Sequence, residues 1–315
     1  MDDFRLFDTL QTLLDSPTGI KTLTSRDAID TIEEGPHRSV QPPELSVIIV
    51  AYRESAEEIQ ACLDSIHATI TSGPFELVAI DNGLQNKAAG ILRGQADRYI
   101  KTNENLGCCG GRNLGADFCR GRVLMFVDAD GILESFDPVA IENIIHSKLI
   151  AVRGRVVTNR LDEAPPHYNP GNQACPSLID AEGISLWDRK WFVNAGGFNE
   201  NLKGNEGIVL AFRLISYFSA HSDQFYYIPG LQLRHDFAAN TRFEGQSKQK
   251  YYFIQFLYLR KVYPGLETFV REQLKLRNRG NAQTRQDFLP RLALYLTRIT
   301  TGLKFKLFLF FKNLS

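Results

Sequence analysis

The most informative stretch of the sequence is a pair of aspartates that follows an apolar run. Five apolar residues at 123–127 precede Asp128 and Asp130, and Gly131 comes next. An apolar run without polar alternation is typical of a central strand that is buried on both faces. Two carboxylates at the end of such a strand are costly unless a cation offsets their charge. Because their hard oxygens suit Mg²⁺ or Mn²⁺, the pattern predicts a divalent metal that holds a diphosphate.

Strands and helices alternate along the first half of the chain. Strands are predicted at 45–51, 75–80, 98–101, 123–127 and 149–158. Helices are predicted between them, and Ser55 with Glu58 forms the capping box that opens the first of these helices. The alternation favours an α/β fold with a mostly parallel central sheet. Such sheets bind ligands at the carboxyl ends of their strands, where Tyr52, Asp81 and the two aspartates are placed.

The rest of the chain is less regular. A strand is predicted at 183–187, a helix at 205–218 and short strands at 225–228 and 231–234. We therefore predict an N-terminal helical extension and linker at 1–44, an α/β domain at 45–240 and a helical region at 241–315.

Composition and charge describe an ordinary globular protein with one basic end. The 315 residues carry a formal net charge of zero, but positions 271–315 hold ten Lys or Arg and two Asp or Glu, so that segment carries +8 and the remainder −8. Five cysteines without zinc spacing favour a reduced, cytosolic chain. The acidic start lacks the apolar core of a signal peptide. No apolar run approaches the roughly 18 residues of a transmembrane helix.

The basic segment 288–315 has the pattern of an amphipathic helix. Its apolar residues recur at steps of three and four, at Leu292, Leu296, Ile299, Leu303, Leu307, Phe310 and Leu314. Interspersed basic and aromatic residues are typical of helices that lie in a bilayer interface. We expect this segment to bind an anionic membrane surface, to which each basic residue contributes about 1 kcal/mol. The alternative is a helix that packs on the α/β domain or on a second subunit. No nucleic-acid recognition motif accompanies the charge, so nucleic acid is not an expected partner.

These pieces, in this order, resemble the glycosyltransferase 2 family, a group of nucleotide-sugar-dependent enzymes with the Rossmann-like GT-A fold. Five stretches carry the resemblance: Ser46–Tyr52, Val78–Gly83, Asn105–Gly115, Phe126–Asp130 and Ala195–Glu200. An isolated Asp-x-Asp occurs by chance in many chains, whereas five stretches in family order form a specific signal. The resemblance implies a nucleotide-binding half at 45–135 and an acceptor-binding half at 136–240.

The resemblance also implies which residues bind the donor. They are Ala51, Tyr52, Glu54, Asp81, Asn82, Gly111, Arg112, Asn113, Asp128, Ala129, Asp130 and Trp187. Asp81 would hydrogen-bond the base or ribose, or alternatively cap its own loop in an Asx turn. Tyr52 would stack on the base, or alternatively pack at the rim of the core. The family often has Thr or Pro at the position of Ala51, so any side-chain contact is lost there.

Two of these residues have alternatives of their own. Arg112 would face the nucleotide or its phosphates as a fixed cation, or alternatively form a surface salt bridge. Trp187 belongs to the segment that resembles the acceptor side of the family, where Trp faces stack on sugar rings, but a large aromatic there is equally consistent with a core residue. Glycines in the segment that contains Gly111 would permit close backbone approach to an anion.

The metal ligands and the catalytic base follow from the same resemblance. Asp130 would bind Mn²⁺ or Mg²⁺ directly, Asp128 would contact the metal or the ribose, and His235 would be a third ligand or a structural residue. An inverting transfer needs a carboxylate that takes the proton of the acceptor hydroxyl. The family usually supplies it from a Glu-Asp pair at a helix start, but here Glu206 is followed by Gly207. We predict Glu206 as the base; its alternative is a residue that the helix dipole favours.

The expected function is a metal-dependent, inverting transfer of a sugar from a UDP- or dTDP-sugar to a hydroxyl of a glycan or lipid-linked acceptor. The expected setting is the cytoplasm, at the inner face of the cell membrane, in cell-surface polysaccharide synthesis. One alternative is a non-catalytic protein that binds nucleotide sugars, which the missing acid at Gly207 favours. Another is a nucleotidyltransferase, but the loop after the first strand, Tyr52–Ser55, lacks the glycines of that class.

Overall fold

The computed structural model describes most of the α/β region. The described residues are 26–35, 43–158, 168–177, 183–200 and 204–235, with the single positions 41, 179, 202, 265, 268 and 269. Residues 20–200 and 205–236 form one compact unit, to which every strand and helix below belongs, and residues 1–19, 201–204 and 237–315 form another. The predicted N-terminal helix and the amphipathic segment 288–315 lie outside the described residues.

Ten strands of the described chain form one sheet. They are β1 (Ile29–Glu34), β2 (Leu45–Ala51), β3 (Phe75–Asp81), β4 (Arg98–Thr102), β5 (Val123–Asp128), β6 (Ile132–Ser135), β7 (Ala151–Val157), β8 (Cys175–Pro176), β9 (Ile184–Asp188) and β10 (Phe225–Arg234). The order is β1-β4-β3-β2-β5-β9-β7-β10-β6, and β8 pairs with β10. Strands β4, β3, β2 and β5 run parallel to one another, as do β7 and β10, whereas β9 is antiparallel to both of its neighbours. The predicted α/β fold with a largely parallel sheet is confirmed.

Helices cover both faces of this sheet. They are α1 (Ala56–Thr69), α2 (Asn86–Gln95), α3 (Gly107–Phe118), α4 (Val139–Ile145), α5 (Arg189–Asn194) and α6 (Glu206–Tyr217). The predicted capping box opens α1, since Ser55 and Glu58 bond reciprocally to each other's backbone N–H. Helix α3 lies unusually close to β2, because a Cβ on Gly111 would meet Val50 Cγ1 at 2.4 Å and one on Gly115 would meet Ile48 Cγ2 at 2.5 Å.

Two predictions about strands are corrected. The sequence pattern predicts a linker before residue 45, but β1 joins the edge of the sheet antiparallel to β4. Its side chains alternate between half-buried and exposed, and three ion pairs join its acidic residues to β4 and α2: Asp30–Lys101, Glu33–Arg93 and Glu34–Arg98. The two short strands predicted at 225–228 and 231–234 are one strand, β10, whose register shifts around Pro229 and Gly230.

The sheet brings the predicted strand-end residues to one edge. Asp81 pairs with Ala51, and Asp128 pairs with Val50, so the ends of β3, β2 and β5 are level. The turn after β5 leads into β6, which pairs with β10, and His235 follows β10 directly. The same turn therefore brings Asp130 to His235. Within the described residues no helix is both long and apolar enough to cross a bilayer.

Candidate functional site

Three side chains that can hold a metal ion converge at the carboxyl edge of the sheet. Asp128, Asp130 and His235 each offer one ligand atom, and these atoms lie within 4.8 Å of one another. Asp128 ends β5, Asp130 lies in the turn after it, and His235 follows β10. Carboxylates suit Mg²⁺ and Mn²⁺, and an imidazole favours the transition metal of the two. The donor set therefore fits the predicted divalent cation.

His235 is held from two sides. Its Nε2 lies 2.9 Å from Asp130 Oδ1, and its backbone N–H donates to the carbonyl of Val157 over 2.9 Å. The side chains of His235 and Asp130 are 16% and 33% exposed. The pair is therefore fixed by the protein and still open to an ion from solvent.

Asp128 is surrounded more tightly. Arg112 Nη2 donates to its Oδ1 over 2.8 Å, and the thiol of Cys62 donates to its carbonyl over 3.6 Å. A Cβ on Gly183 would lie 2.9 Å from its Oδ2, so only glycine leaves that oxygen its present place. Burial, followed by the charges of Asp130 and Asp128, raises the pKa of the Cys62 thiol, so the thiol stays protonated and can donate this hydrogen bond. Nothing in the sequence distinguishes Gly183 from an ordinary turn glycine, so its role beside Asp128 could not be predicted.

Arg112 joins Asp128 to the predicted base. Its Nη2 contacts Asp128, and its Nη1 lies 3.3 Å from Glu206 Oε1. Only 4% of the Arg112 side chain is exposed. Burial alone lowers the pKa of Arg112, but Cys108, Asp128 and Glu206 raise it further than burial lowers it, so the guanidinium keeps its charge. The predicted alternatives were a contact to the donor and a surface salt bridge; the structure instead has a buried bridge between two acids.

Glu206 begins helix α6. The residue before it, Asn205, adopts the left-handed conformation with φ of 64°, and the helix runs to Tyr217 as the sequence predicts within one residue at each end. The negative charge of Glu206 is favoured at this helix N-terminus. Its side chain is 7% exposed. The position where the family has a second acid is Gly207, which is also buried.

Asp81 caps its own loop, which was the alternative to a contact with the base or ribose. Its Oδ1 accepts the backbone N–H groups of Gly83 and Leu84 over 2.8 and 2.7 Å, which is an Asx-type turn. Its Oδ2 accepts the hydroxyl of Tyr99 over 2.5 Å. Burial and this hydrogen bond raise the pKa of Tyr99, so the phenol stays a donor to the carboxylate. Both oxygens of Asp81 have partners inside the chain, and its contact to a base or ribose stays a prediction.

The loop after β2 is organised by Glu54. Its carboxylate accepts the backbone N–H groups of Tyr52 and Arg53 over 2.6 and 3.1 Å. The guanidinium of Arg53 lies over the Tyr52 ring, 4.7 Å from its centroid, and a Cβ on Gly83 would lie 3.3 Å from the same ring. Tyr52 is therefore a half-exposed aromatic face at the strand-end edge, and base stacking there stays a prediction.

Asn82 and Asn113, both predicted to contact the donor, hold neighbouring segments of the chain. Asn82 donates to the carbonyl of Gly107 over 3.1 Å, which fixes the start of α3. Asn113 is fully buried. It accepts from the N–H of Phe198 over 2.8 Å and donates to the carbonyl of Phe198 over 2.9 Å. Asn113 has no exposed surface here and holds the segment after α5, and its contact to the donor stays a prediction.

Trp187 is likewise enclosed by the protein. It is fully buried, and its ring packs against Phe192 and Phe198 with centroids 5.9 and 5.7 Å apart. Its Nε1 donates to Ser185 Oγ over 3.2 Å, so its polar atom also has a partner within the core. Trp187 is therefore a core residue in this structure, and its stacking on a sugar ring stays a prediction.

Three further predicted donor residues offer little side-chain surface. Ala51 and Ala129 are 0% and 2% exposed, and any contact they make is limited to backbone. Gly111 faces Val50 of β2, as described above, so its missing side chain serves helix–strand packing rather than approach to an anion.

Comparison with known sequences agrees with this architecture. Residues 46–178 match the model of glycosyl transferase family 2. Glycosyltransferase AglE of Haloferax volcanii is 34% identical over 94 residues, which are 28% of this chain and 31% of AglE. The dolichyl-phosphate beta-glucosyltransferase of Drosophila melanogaster is 30% identical over 134 residues, 38% of each protein. The matched part of the chain thus spans about a third of the length of these relatives.

Comparison with solved structures concerns the fold. The mannosyltransferase PcManGT of Pyrobaculum calidifontis, solved with GDP-Man and Mn²⁺, has a TM-score of 0.53 at 15% identity over 96% of this chain and 88% of its own. Residues 1–349 of S. aureus TarS give a TM-score of 0.54 at 14% identity over 83% of this chain and 80% of that one. Sequence match, sheet order and these neighbours agree with the family resemblance: residues 46–178 are similar to glycosyl transferase family 2, and the fold is the GT-A fold.

Proposed function

We propose that this protein is a glycosyltransferase that moves a sugar from a nucleotide-diphosphate sugar to a hydroxyl group with the help of a divalent cation. The observation that carries the proposal is the convergence of Asp128, Asp130 and His235 at the carboxyl edge of a GT-A sheet. Ligands of open α/β sheets bind at that edge. The relatives named as glycosyltransferases support the reaction class.

The cation would be held by Asp130 and His235, with Asp128 beside them. When bound, Mn²⁺ or Mg²⁺ supplies positive charge to the diphosphate that leaves. We propose UDP- or dTDP-sugars as donors. GDP-sugars belong in the test as well, because one structural neighbour is solved with GDP-Man.

Glu206 is the proposed base of an inverting transfer. The acceptor oxygen forms a bond to the anomeric carbon, the bond from that carbon to the diphosphate breaks, and the hydroxyl proton passes to the Glu206 carboxylate. The guanidinium of Arg112 lies 3.3 Å from the Glu206 carboxylate and offers it an opposite charge. Because little of Glu206 is exposed, the acceptor must approach at the start of α6.

Donor hydrolysis tests this proposal without knowledge of the acceptor. The full chain is incubated with UDP-, dTDP- and GDP-sugars, with Mn²⁺ or with EDTA, and free sugar is measured. We expect slow release with at least one donor and only with the cation, and a loss of about 100-fold in Glu206→Gln. Asp64→Asn, which removes one exposed carboxylate of α1, is the control and should hydrolyse like the wild type. Unchanged turnover in Glu206→Gln would reject this residue as the base.

A second function, nucleotide-sugar binding without catalysis, has one specific observation in its favour. Gly207 replaces the family's second acid, and Glu206 is already engaged by Arg112. The same assay separates the two functions, because a binding protein would show Mn²⁺-dependent donor binding and no free sugar.

The proposed acceptor is a glycan or a lipid-linked hydroxyl, made at the inner face of the cell membrane. The sequence of the basic amphipathic segment 288–315 supports membrane recruitment. Replacing Lys304, Lys306 and Lys312 with Gln should reduce co-sedimentation with anionic liposomes while donor binding stays unchanged. Equal sedimentation of the substituted chain would contradict an electrostatic membrane contact.

A further inference from the structure

We propose that Arg112 is a positioning residue of the transfer reaction, which holds Asp128 of the metal cluster and the base Glu206 in one fixed arrangement and does not contact the donor. The inference rests on the proposed function. Its basis is the two-armed contact of one guanidinium with both carboxylates, at 2.8 and 3.3 Å.

Both terminal nitrogens of Arg112 are directed to carboxylates of the protein. A guanidinium presents its N–H groups in a planar, rigid fork. Here Nη2 is directed to Asp128 and Nη1 to Glu206. Exposure falls from 30% for the Asp128 side chain to 4% for Arg112, so a ligand that enters from solvent meets Asp128 first.

The backbone that carries Arg112 is anchored to the strand beside the metal cluster. Gly111, the preceding residue, packs against Val50 so closely that a Cβ would overlap it. Val50 is also the register partner of Asp128 in the neighbouring strand. The guanidinium lies over the Phe126 ring, 5.8 Å from its centroid. The guanidinium of Arg112 thus contacts both carboxylates from a tightly packed backbone. Packing of this kind holds reacting groups in a productive geometry.

The guanidinium of Arg112 also offsets the repulsion between two carboxylates. Asp128 and Glu206 come from β5 and α6 and both point to one buried position. Without the positive charge of Arg112, the two carboxylates would repel each other and turn away. A lysine retains the charge but has a single ammonium in place of the two-armed fork. Arg112→Lys therefore separates geometry from charge.

The test is a comparison of donor binding and turnover in Arg112→Lys. Donor affinity is measured by calorimetry in Mn²⁺, and the turnover number by donor hydrolysis at saturating donor. We expect the turnover number to fall about 10- to 100-fold, since small misplacements of reacting groups cost that much. Both measurements use saturating Mn²⁺, so that a weaker hold on Asp128 does not leave the metal site empty, and under that condition the dissociation constant of the donor should change less than about twofold. Arg112→Lys combined with Glu206→Gln should be no slower than Glu206→Gln alone, because the two residues act as a unit.

The matched control is Arg120→Lys. Arg120 also contacts a buried carboxylate, with its Nε 2.9 Å from Glu76 Oε2, but at the opposite edge of the sheet. Its turnover number should equal that of the wild type, and unfolding curves of both variants separate a loss of stability from a loss of positioning.

Two results would overturn the inference. A donor affinity that falls tenfold in Arg112→Lys with an unchanged turnover number would mean that Arg112 contacts the diphosphate. If the fold-loss of turnover in the double variant equals the product of the two single losses, Arg112 and Glu206 act independently. A wild-type chain that binds donor and never hydrolyses it would refute the proposed function itself, and the inference with it.

Discussion

At the scale of single residues, the candidate site depends on positions where side chains are absent as much as on those that carry charge. Asp130 and His235 contact each other at 2.9 Å, and Asp128 shares its carboxylate with Arg112. The second oxygen of Asp128 keeps its place because residue 183 has no Cβ.

A methyl group at residue 183 should therefore weaken metal binding. In Gly183→Ala the new Cβ meets Asp128 Oδ2 at 2.9 Å, so the carboxylate must shift. We expect the affinity for Mn²⁺ in the presence of donor to fall about tenfold, equivalent to about 1.4 kcal/mol. Gly90→Ala is the control, since a Cβ there has no neighbour within 4 Å. Equal Mn²⁺ affinity of Gly183→Ala and wild type would show that Asp128 is not a ligand.

At the scale of the elements, helix α3 joins three parts of the site. Its first turn is fixed by Asn82, its glycines sit on β2, and Arg112 and Asn113 extend to α6 and to the segment after α5. The packing requirement explains the sequence of α3, which is rich in small residues.

Truncation of the Asn113 side chain should destabilise the protein. Asn113→Ala leaves the N–H and carbonyl of Phe198 without their partner in a buried place. We expect the free energy of unfolding to fall by about 2 kcal/mol in urea titrations. Asn103→Ala is the matched control, because Asn103 donates to the carbonyl of Asp27 at an exposed position. A loss of the same size in both variants would contradict the role of Asn113 in holding this segment.

At the scale of the whole molecule, the carboxyl and amino ends of the parallel strands have different functions. The carboxyl edge carries the candidate site, and the opposite edge holds a buried carboxylate, Glu76, that stabilises the fold. Burial raises the pKa of Glu76, but hydrogen bonds from Ser46, Arg120 and Gly121 outweigh it and hold the pKa below its usual value of 4.5. A carboxyl whose pKa is lower in the folded state contributes stability above pH 4.5 and loses it as the pH falls through the folded pKa.

Glu76→Gln should therefore reduce both stability and its dependence on pH. At neutral pH we expect a loss of about 3 kcal/mol, because Arg120 keeps its charge and loses its partner. Below pH 4.5 the difference from wild type should shrink, and it should be lost once the pH has fallen through the lower pKa at which the carboxyl is protonated in the folded state. Unfolding measured at several pH values, with the exposed Glu57→Gln as control, checks this. A difference that is constant across the pH range would contradict the role of the Glu76 charge.

The sequence predicts the parts of this fold that depend on local pattern. Strands β2, β3 and β5 consist mainly of consecutive apolar residues, so burial on both faces is visible in the residues themselves. Strand β1 was not predictable in this way, because its acidic residues pair with Lys101, Arg93 and Arg98, which belong to other elements.

The residues of the candidate site also differ in whether local sequence pattern or tertiary packing determines their place. The placement of Asp128, Asp130 and His235 at strand ends follows from the sequence pattern and the family resemblance, and the structure brings their ligand atoms together. The orientation of Arg112, Asn113 and Trp187 does not follow from sequence. Periodicity indicates which side of an element a residue occupies, but the partner on that side is set by tertiary packing. Glu206 illustrates this, since its contact with Arg112 joins residues 94 positions apart.

The most direct test of this account is the affinity of Asp130→Ala for nucleotide sugars. Calorimetric titration with UDP-, dTDP- and GDP-sugars compares it with the wild type in Mn²⁺ and in EDTA. We expect the wild type to bind one donor class only with Mn²⁺, and Asp130→Ala to lose at least about tenfold in affinity, or 1.4 kcal/mol. If Asp130→Ala binds the donor as tightly as the wild type in Mn²⁺, the cation is not held by this cluster and the proposed function is wrong.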